Sequence, residues 1–381
     1  MVATLSLPII DLSSPHRLST ANSIRQACVE YGFFYLVNHG VDTDFVSKVF
    51  DQSCKFFSLP VQRKMDLARK EYRGYTPLYA ETLDPTSLSK GDPKETYYIG
   101  PIEDTSIAHL NQWPSEGHFR ITAKLETYNE ILILETTNLH ILLIFPRAAG
   151  KSLLSLIALS LNLEEDYFEK IGALNKPASF LRLLHYPGEL GSDEQICGAS
   201  PHSDYGMITL LMTDGVPGLQ ICKDKVNQPQ VWEDVPHVEG ALIVNIGDMM
   251  ERWTNCLYRS TLHRVMPTGK ERYSVITNHF LSCFNLYGSS EFLDIGDRAC
   301  DPHYLIHTQR GGVKNSHANS DDKKVAFFFD PASDCVVECF ESCCSESSPP
   351  RFSPIRSGDY LNERFRLTYG SEKDLKCDLS S

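Results

Sequence analysis

The stretch "GASPHSDYGMITLLM", residues 198–212, decides the fold. A histidine and a carboxylate, His202 and Asp204, stand two apart just ahead of an apolar run. Residues i and i+2 of a β-strand project to the same side, so on a strand this spacing aims an imidazole and a carboxylate at one point. Two such groups converging beside a buried strand are costly unless something pairs them. A divalent metal would do so. A plain His–Asp hydrogen bond at the strand mouth would do so too, and these residues alone leave the two readings level.

Further along, "YRSTLHRVMPTGKERYSV" (258–275) supplies His263 in a strand-like segment. Two histidines and one carboxylate can occupy one face of an octahedral ion and leave three positions open, the arrangement of a non-haem Fe(II) oxygenase. A zinc hydrolase could use the same three ligands with water in its fourth position. Arg272 and Ser274, again two apart, separate the cases. An arginine fork beside a hydroxyl is a receptor for a carboxylate. A ferrous centre with a carboxylate anchor suits a bidentate 2-oxo acid whose far end carries a second carboxylate. A lone arginine would read as a surface ion pair; the serine, the spacing and the triad together favour the receptor.

Composition excludes other classes. The 381 residues, 42% hydrophobic and 22% charged, are those of a globular enzyme of two domains or one large β-rich one. A formal net charge of −13 argues against nucleic acid and anionic membranes as partners. The chain opens "MVATLSLPIIDLSSPHR", without the basic-then-apolar pattern of a secretory signal, so its 12 cysteines read as reduced thiols of a cytoplasmic protein. The most apolar stretch, "ILILETTNLHILLIFPR" (131–147), is broken by Glu135, Asn138 and His140 and falls short of the roughly 18 apolar residues of a membrane span. No obligatory protein partner is expected.

Periodicity predicts a mixed N-terminal half. A strand at "LPIIDLSS" precedes a helix carrying Ile24, Cys28 and Tyr31, then a strand at "FFYLVNHG". A helix, a Pro-marked break and a second helix follow, then aromatic strand-like pieces at "KEYRGYTPLYAE" and "KETYYIG". "AAGKSLLSLIALSLNL" reads as a buried helix; its "GKS" lacks the first glycine of a phosphate loop, since Phe145 stands there. From 178 onward short strands alternate with turns such as "DGVPG" and "NIGD", as in a sandwich or barrel-like β fold.

"HSD", "LHRV" and "ERYS", with "NIGDMMERWTN" between them and "LPIIDLS" and "ACVEYGFFYLVNHGV" ahead, resemble the plant and fungal 2-oxoglutarate/Fe(II)-dependent dioxygenases, a family that includes isopenicillin N synthase. The resemblance spans roughly 5–113 and 175–274 and resumes at 325–369. It implies an α+β fold: a double-stranded β-helix (jelly roll) core flanked by helices, behind an N-terminal mixed α/β region. The domains expected are an N-terminal dioxygenase region at 5–113, a helical linker at 114–174 and the catalytic jelly roll at 175–369. It also implies that His202, Asp204 and His263 ligate the iron, and that Arg272 and Ser274 hold the 5-carboxylate of 2-oxoglutarate with help from Tyr186. Many members carry an asparagine two residues before that tyrosine; here it is Leu184. Tyr75, Tyr97 and Tyr98 lie where members line the substrate pocket, and each reads equally as core packing. The implied reaction consumes O2 and 2-oxoglutarate, gives succinate and CO2, and hydroxylates or otherwise oxidises a small molecule, with ascorbate as reductant in vitro.

Two segments depart from that pattern. Residues 131–147 read as an insertion ahead of the buried helix, and 276–324 as an insertion between "RYSV" and "VAFFFDP". The second lacks sustained periodicity and reads as translated non-coding sequence. It would cut the strand of Arg272 and Ser274, although the pieces could still pair in register because loop length costs only logarithmically. Two alternatives therefore stand beside the oxygenase: a catalytically impaired splice or gene-model product, and an isopenicillin N synthase-like oxidase that uses no 2-oxo acid. The cysteines of "CVVECFESCCSE" (Cys335, Cys339, Cys343, Cys344) lack a zinc-site spacing.

Overall fold

The computed structural model describes residues 5–70, 73–84, 91–100, 111–112, 149–174, 181–188, 197–225, 229–276 and 327–369. The expected insertion at 131–147 lies outside them, as does 276–324 apart from Ile276. The chain divides into two units, 1–282 with 322–381, and 283–321; the sheets, helices and site lie in the first.

Its centre is a large sheet whose strands run in the order β1 (Ile9–Asp11), β2 (Phe33–Val37), β10 (Leu242–Ile246), β7 (Ile208–Thr213), β12 (Arg272–Ile276), β5 (Leu181–Tyr186), β4 (Glu95–Ile99) and β3 (Gly74–Thr76). Apart from the parallel β1–β2 pair, every neighbouring pair is antiparallel. A smaller antiparallel sheet orders β6 (Ala199–His202), β11 (His263–Val265), β8 (Leu219–Cys222) and β9 (Trp232–Asp234). This is the expected jelly-roll architecture.

The central strands are apolar almost without interruption because both of their faces are covered. Phe34, Leu36, Leu183, Leu210, Met212, Leu242 and Val244 take the outer face, in one core with Ile24 and Cys28 of α1 (Arg17–Glu30), Phe50 of α2 (Thr43–Phe57) and Leu153 and Ile157 of α3 (149–160). The alternate residues Phe33, Tyr35, Leu184, Tyr186, Leu211 and Ile243 meet Ala199, Leu219, Ile221 and Val265 of the smaller sheet. The inner face also receives the polar residues Arg182, Thr209, Asn245, Arg272 and Ser274, all buried. A strand side that gives buried positions to polar groups is where function is sought. Among the described residues no helix is long and apolar enough to cross a membrane.

Strand β13 (Phe327–Phe329) continues the line of β12 along the same edge of β7. Ser274, Val275 and Ile276 pair with Thr213, Met212 and Leu211; Phe327, Phe328 and Phe329 then pair with Leu210, Thr209 and Ile208. Ile276 and Phe327 thus face consecutive residues of β7, in keeping with the expectation that the cut strand stays in register.

Candidate active site

His202 is the last residue of β6 and His263 the first of β11, and the two are register partners across the smaller sheet. Asp204 does not lie on the strand, as the i, i+2 argument supposed. It sits in the turn between β6 and β7, whose backbone is fixed by Asp248 N–H donating to Asp204 O (2.7 Å) and Met249 N–H to Gly206 O (3.1 Å). That dock needs Gly247, because a Cβ there would lie 2.3 Å from Gly206 O. The "NIGDMM" corner, β10 running into α4 (Asp248–Trp253), therefore aims Asp204.

The turn brings one ligand atom from each of His202, Asp204 and His263 within 4.8 Å of the others. His202 Nδ1 lies 2.7 Å from Ser200 O and His263 Nδ1 3.1 Å from Thr261 O. A carbonyl only accepts, so each Nδ1 carries the proton and each Nε2 keeps its lone pair. Those Nε2 atoms stand 3.9 and 3.7 Å from Asp204 Oδ1, beyond hydrogen-bond reach. The plain His–Asp hydrogen bond is not made, and three donors converge on a common point. Burial, and then the neighbouring His263, hold the His202 imidazole well below its ordinary pKa, so it is neutral as a metal ligand must be. Among the described residues this is the one group of three or more His, Cys, Asp or Glu side chains placed to hold an ion; the cysteines of 335–344 form none.

Arg272 and Ser274 enter the same cavity from β12, opposite Tyr186 and Leu184 of β5. Arg272 donates from Nε to Val216 O (3.3 Å) and stacks its guanidinium over Tyr186 at 5.1 Å. Its Nη1 and the Ser274 hydroxyl are buried without a hydrogen-bond partner among the described residues. An orphaned cationic donor and a hydroxyl two residues away on one strand face are an incomplete arrangement that a carboxylate would complete. Leu184, where relatives carry asparagine, is an apolar wall of the cavity beside Ser274.

The tyrosines divide. Tyr98 lines the cavity, with Arg182 over its ring at 4.8 Å. Tyr75 and Tyr97 belong to the outer core. Tyr75 donates to Glu95 Oε2, which also receives Lys64 Nζ (2.6 Å), while Glu95 Oε1 faces His185 Nδ1 (2.7 Å). Tyr97 donates to Gln112 O. Strand alternation separates them: Tyr98 follows Tyr97 on β4 and so takes the opposite side.

Sequence reading missed several cavity residues. Lys94 is fully buried and pairs with Asp92 (2.6 Å) and Glu81 (3.1 Å), and Glu81 also pairs with Arg182. Asp92 receives the backbone N–H of Ser200 (3.1 Å), two residues before His202. Asp330 lines the cavity, its carboxyl pushed well above the usual range by burial and then by Asp204. Helix α5 (Ser357–Tyr369) closes one side with Leu361, Phe365 and Thr368, the last bonded to Tyr205 at 2.8 Å. The charge run in "GDPKE" and the lone polar residues in "ITLLMT" and "LIVNI" were the available signals.

Comparison with known proteins agrees with this geometry. Residues 7–116 match the family described as non-haem dioxygenase in morphine synthesis, N-terminal, and residues 177–280 match the 2OG-Fe(II) oxygenase superfamily. The chain belongs to the 2-oxoglutarate/Fe(II)-dependent oxygenase superfamily and is a dioxygenase that works with Fe(II), 2-oxoglutarate and O2. Among its relatives is kihadalactone A synthase of Citrus sinensis, 34% identical over 99% of this chain and 96% of that protein. Azadirone synthase of Melia azedarach is 33% identical over 94% of this chain and 92% of its own. A full-length Neurospora crassa protein, solved in complex with alpha-KG and 5-formyluracil, superposes with a TM-score of 0.68 at 25% identity, covering 96% of this chain and 97% of that one.

Proposed function

We propose that His202, Asp204 and His263 hold Fe(II), that Arg272 and Ser274 receive the 5-carboxylate of 2-oxoglutarate beside Tyr186, and that the enzyme oxidises a C–H bond of a small organic metabolite. The observation that carries this reading is the pair of orphaned donors on β12 opening into the cavity of the His–Asp–His cluster. An oxidase needing no 2-oxo acid would have to complete that buried guanidinium nitrogen and hydroxyl with a carboxylate of its own substrate. The bound iron and 2-oxoglutarate supply the oxidant, O2 being consumed and succinate and CO2 released.

The chain's own residues bind and orient. The two imidazoles commit their Nδ1 protons to backbone carbonyls and turn their Nε2 atoms toward Asp204 Oδ1. Arg272 fixes the far carboxylate and so sets the position of the reacting end of the 2-oxo acid. Leu83, Leu184, Leu361 and Phe365 keep the cavity apolar, which excludes water from the reacting centre. Lys94, Arg182, Glu81 and Asp92 neutralise one another, which suits an uncharged substrate. Relatives that make kihadalactone A and azadirone are consistent with an organic metabolite of this kind. The nine described cysteines are all free, in keeping with a reducing, cytoplasmic setting.

The test is anaerobic binding of 2-oxoglutarate to the Mn(II)- or Fe(II)-loaded chain, followed by succinate formation under air with ascorbate. Arg272→Ala should raise the half-saturating 2-oxoglutarate concentration by roughly 10- to 100-fold, the worth of a charge-assisted hydrogen bond. An unchanged half-saturation would remove the cosubstrate assignment.

A further inference from the structure

Asp204 presents its two oxygens to different surroundings. Oδ1 is the atom that faces His202 Nε2 and His263 Nε2. Oδ2 accepts from Asn245 Nδ2 at 2.7 Å and from the Thr209 hydroxyl. Asn245 and Thr209 are direct partners in the β10–β7 register, and both are buried, at 2% and 3% exposure. On that inner face their strand neighbours two residues away are Leu211 and Ile243. Two adjacent strands thus each carry one hydrogen-bond donor at the same level of the sheet, and both donors end on one oxygen. A carboxylate placed only for stability would need no such division.

The consequence is a count of coordination positions. An octahedral ion held by two imidazoles and one carboxylate oxygen keeps three positions, two for a chelating 2-oxo acid and one for O2. A carboxylate that bound through both oxygens would take a fourth position and leave two. We propose that Asn245 and Thr209 are positioning residues that hold Oδ2 away from the metal, so that Asp204 binds through Oδ1 alone and the third position stays open. This rests on the metal site proposed above. Asn245 and Thr209 act through Asp204, as outer-shell partners of metal ligands do.

Two constants separate this role from simple support of the fold. The first is the Mn(II) dissociation constant, followed by the electron paramagnetic resonance of free Mn(II). The second is the 2-oxoglutarate concentration that half-saturates the visible charge-transfer absorption of the anaerobic Fe(II)-loaded chain, which reports chelation by the 2-oxo acid. Thr209→Val removes the hydroxyl at nearly constant shape, Asn245→Ala removes the amide, and Thr209→Ser keeps a hydroxyl. In Thr209→Val and Asn245→Ala the half-saturating 2-oxoglutarate should rise about tenfold or more, the worth of one lost hydrogen bond to a charged group. Mn(II) affinity should be kept or increased, because the freed oxygen adds a ligand while blocking a position. Thr209→Ser should match the wild type.

Unchanged 2-oxoglutarate titrations in both variants would overturn the proposal. So would a parallel loss of Mn(II) and 2-oxoglutarate affinity, which marks mere support. If Thr209→Val does not fold, Thr209→Ala, smaller at the same position, reads the same two constants. A wild-type chain that binds neither Mn(II) nor Fe(II) would instead overturn the underlying metal site, and with it this inference.

Discussion

The register along β7 makes a prediction about chain length that composition could not. Val275 faces Met212 and Phe327 faces Leu210, so one position, opposite Leu211, lies between them, and Ile276 fills it. Residues 277–326, fifty in number, therefore intervene between consecutive strand positions. Deleting 277–326 joins Ile276 to Phe327 and preserves every pairing, including the return to Asp330 and to Ala332, whose N–H bonds to Ala173 O at 2.8 Å. Deleting 276–324, the boundary suggested by the break in sequence pattern, leaves Val325 and Ala326 to share that one position. The chain must then form a bulge or slip, and a slip of one residue exchanges the two faces of the strand. Beside β7, a strand buried along its whole length, a bulge strands about one peptide group without a partner, at a cost of about 1–3 kcal/mol. For a chain of this size that corresponds to roughly 1–4 °C in Tm. The assay is urea and thermal unfolding of the two purified deletion chains, which differ by a single residue. The 277–326 deletion should be the more stable; equal or reversed midpoints would refute the register argument.

Three further outcomes follow from the site and its surroundings. Asp204→Ala should abolish Fe(II)-dependent succinate formation and Mn(II) binding together, and retained turnover would refute the His–Asp–His site. Lys94→Met leaves Asp92 without its buried cation and Glu81 with Arg182 alone, and should destabilise the fold by about 3–5 kcal/mol, read from the urea midpoint. Tyr75→Phe deprives Glu95 of one donor and should cost about 1–3 kcal/mol of stability. Because Tyr75 sits in the outer core, it should leave the 2-oxoglutarate half-saturation unchanged; a changed half-saturation with unchanged stability would move Tyr75 to the site.

What the sequence made legible was the chemistry carried by short spacings. His202, Asp204 and His263 were readable because imidazole and carboxylate are expensive beside buried strands, and Arg272 with Ser274 because strand period 2 puts them on one face. The structure brings all five to one cavity, together with Tyr186. Legibility ended where position depends on long-range pairing. Nothing local distinguishes Tyr97 from Tyr98; the sheet face each takes does, Tyr97 beside Leu183 in the outer core and Tyr98 beside Arg182 at the cavity. Asn245 and Thr209 are polar residues in apolar strands that sequence reading passed over, and their shared target, Asp204 Oδ2, follows from the β10–β7 register and from Gly247 docking on Gly206. The turn position of Asp204 was hidden for the same reason: the spacing suggested a strand, whereas a corner more than forty residues away fixes the backbone.

The same distinction bears on the alternative of an impaired product. An interruption two residues beyond Ser274 looks, in sequence, like the loss of the cosubstrate anchor. In the fold, β12 is hydrogen-bonded on both edges before the interruption begins: Arg272 through Ile276 against β5, and Ser274 through Ile276 against β7. Strand β13, beyond it, pairs among the described residues with β7. Arg272 and Ser274 are therefore held by pairings that are complete before the chain passes Ile276. Resumption in step at Phe327 then returns Asp330 to the cavity wall. A case for impairment would have to rest on the stability or solubility of the full chain, because Arg272 and Ser274 are paired upstream of the interruption.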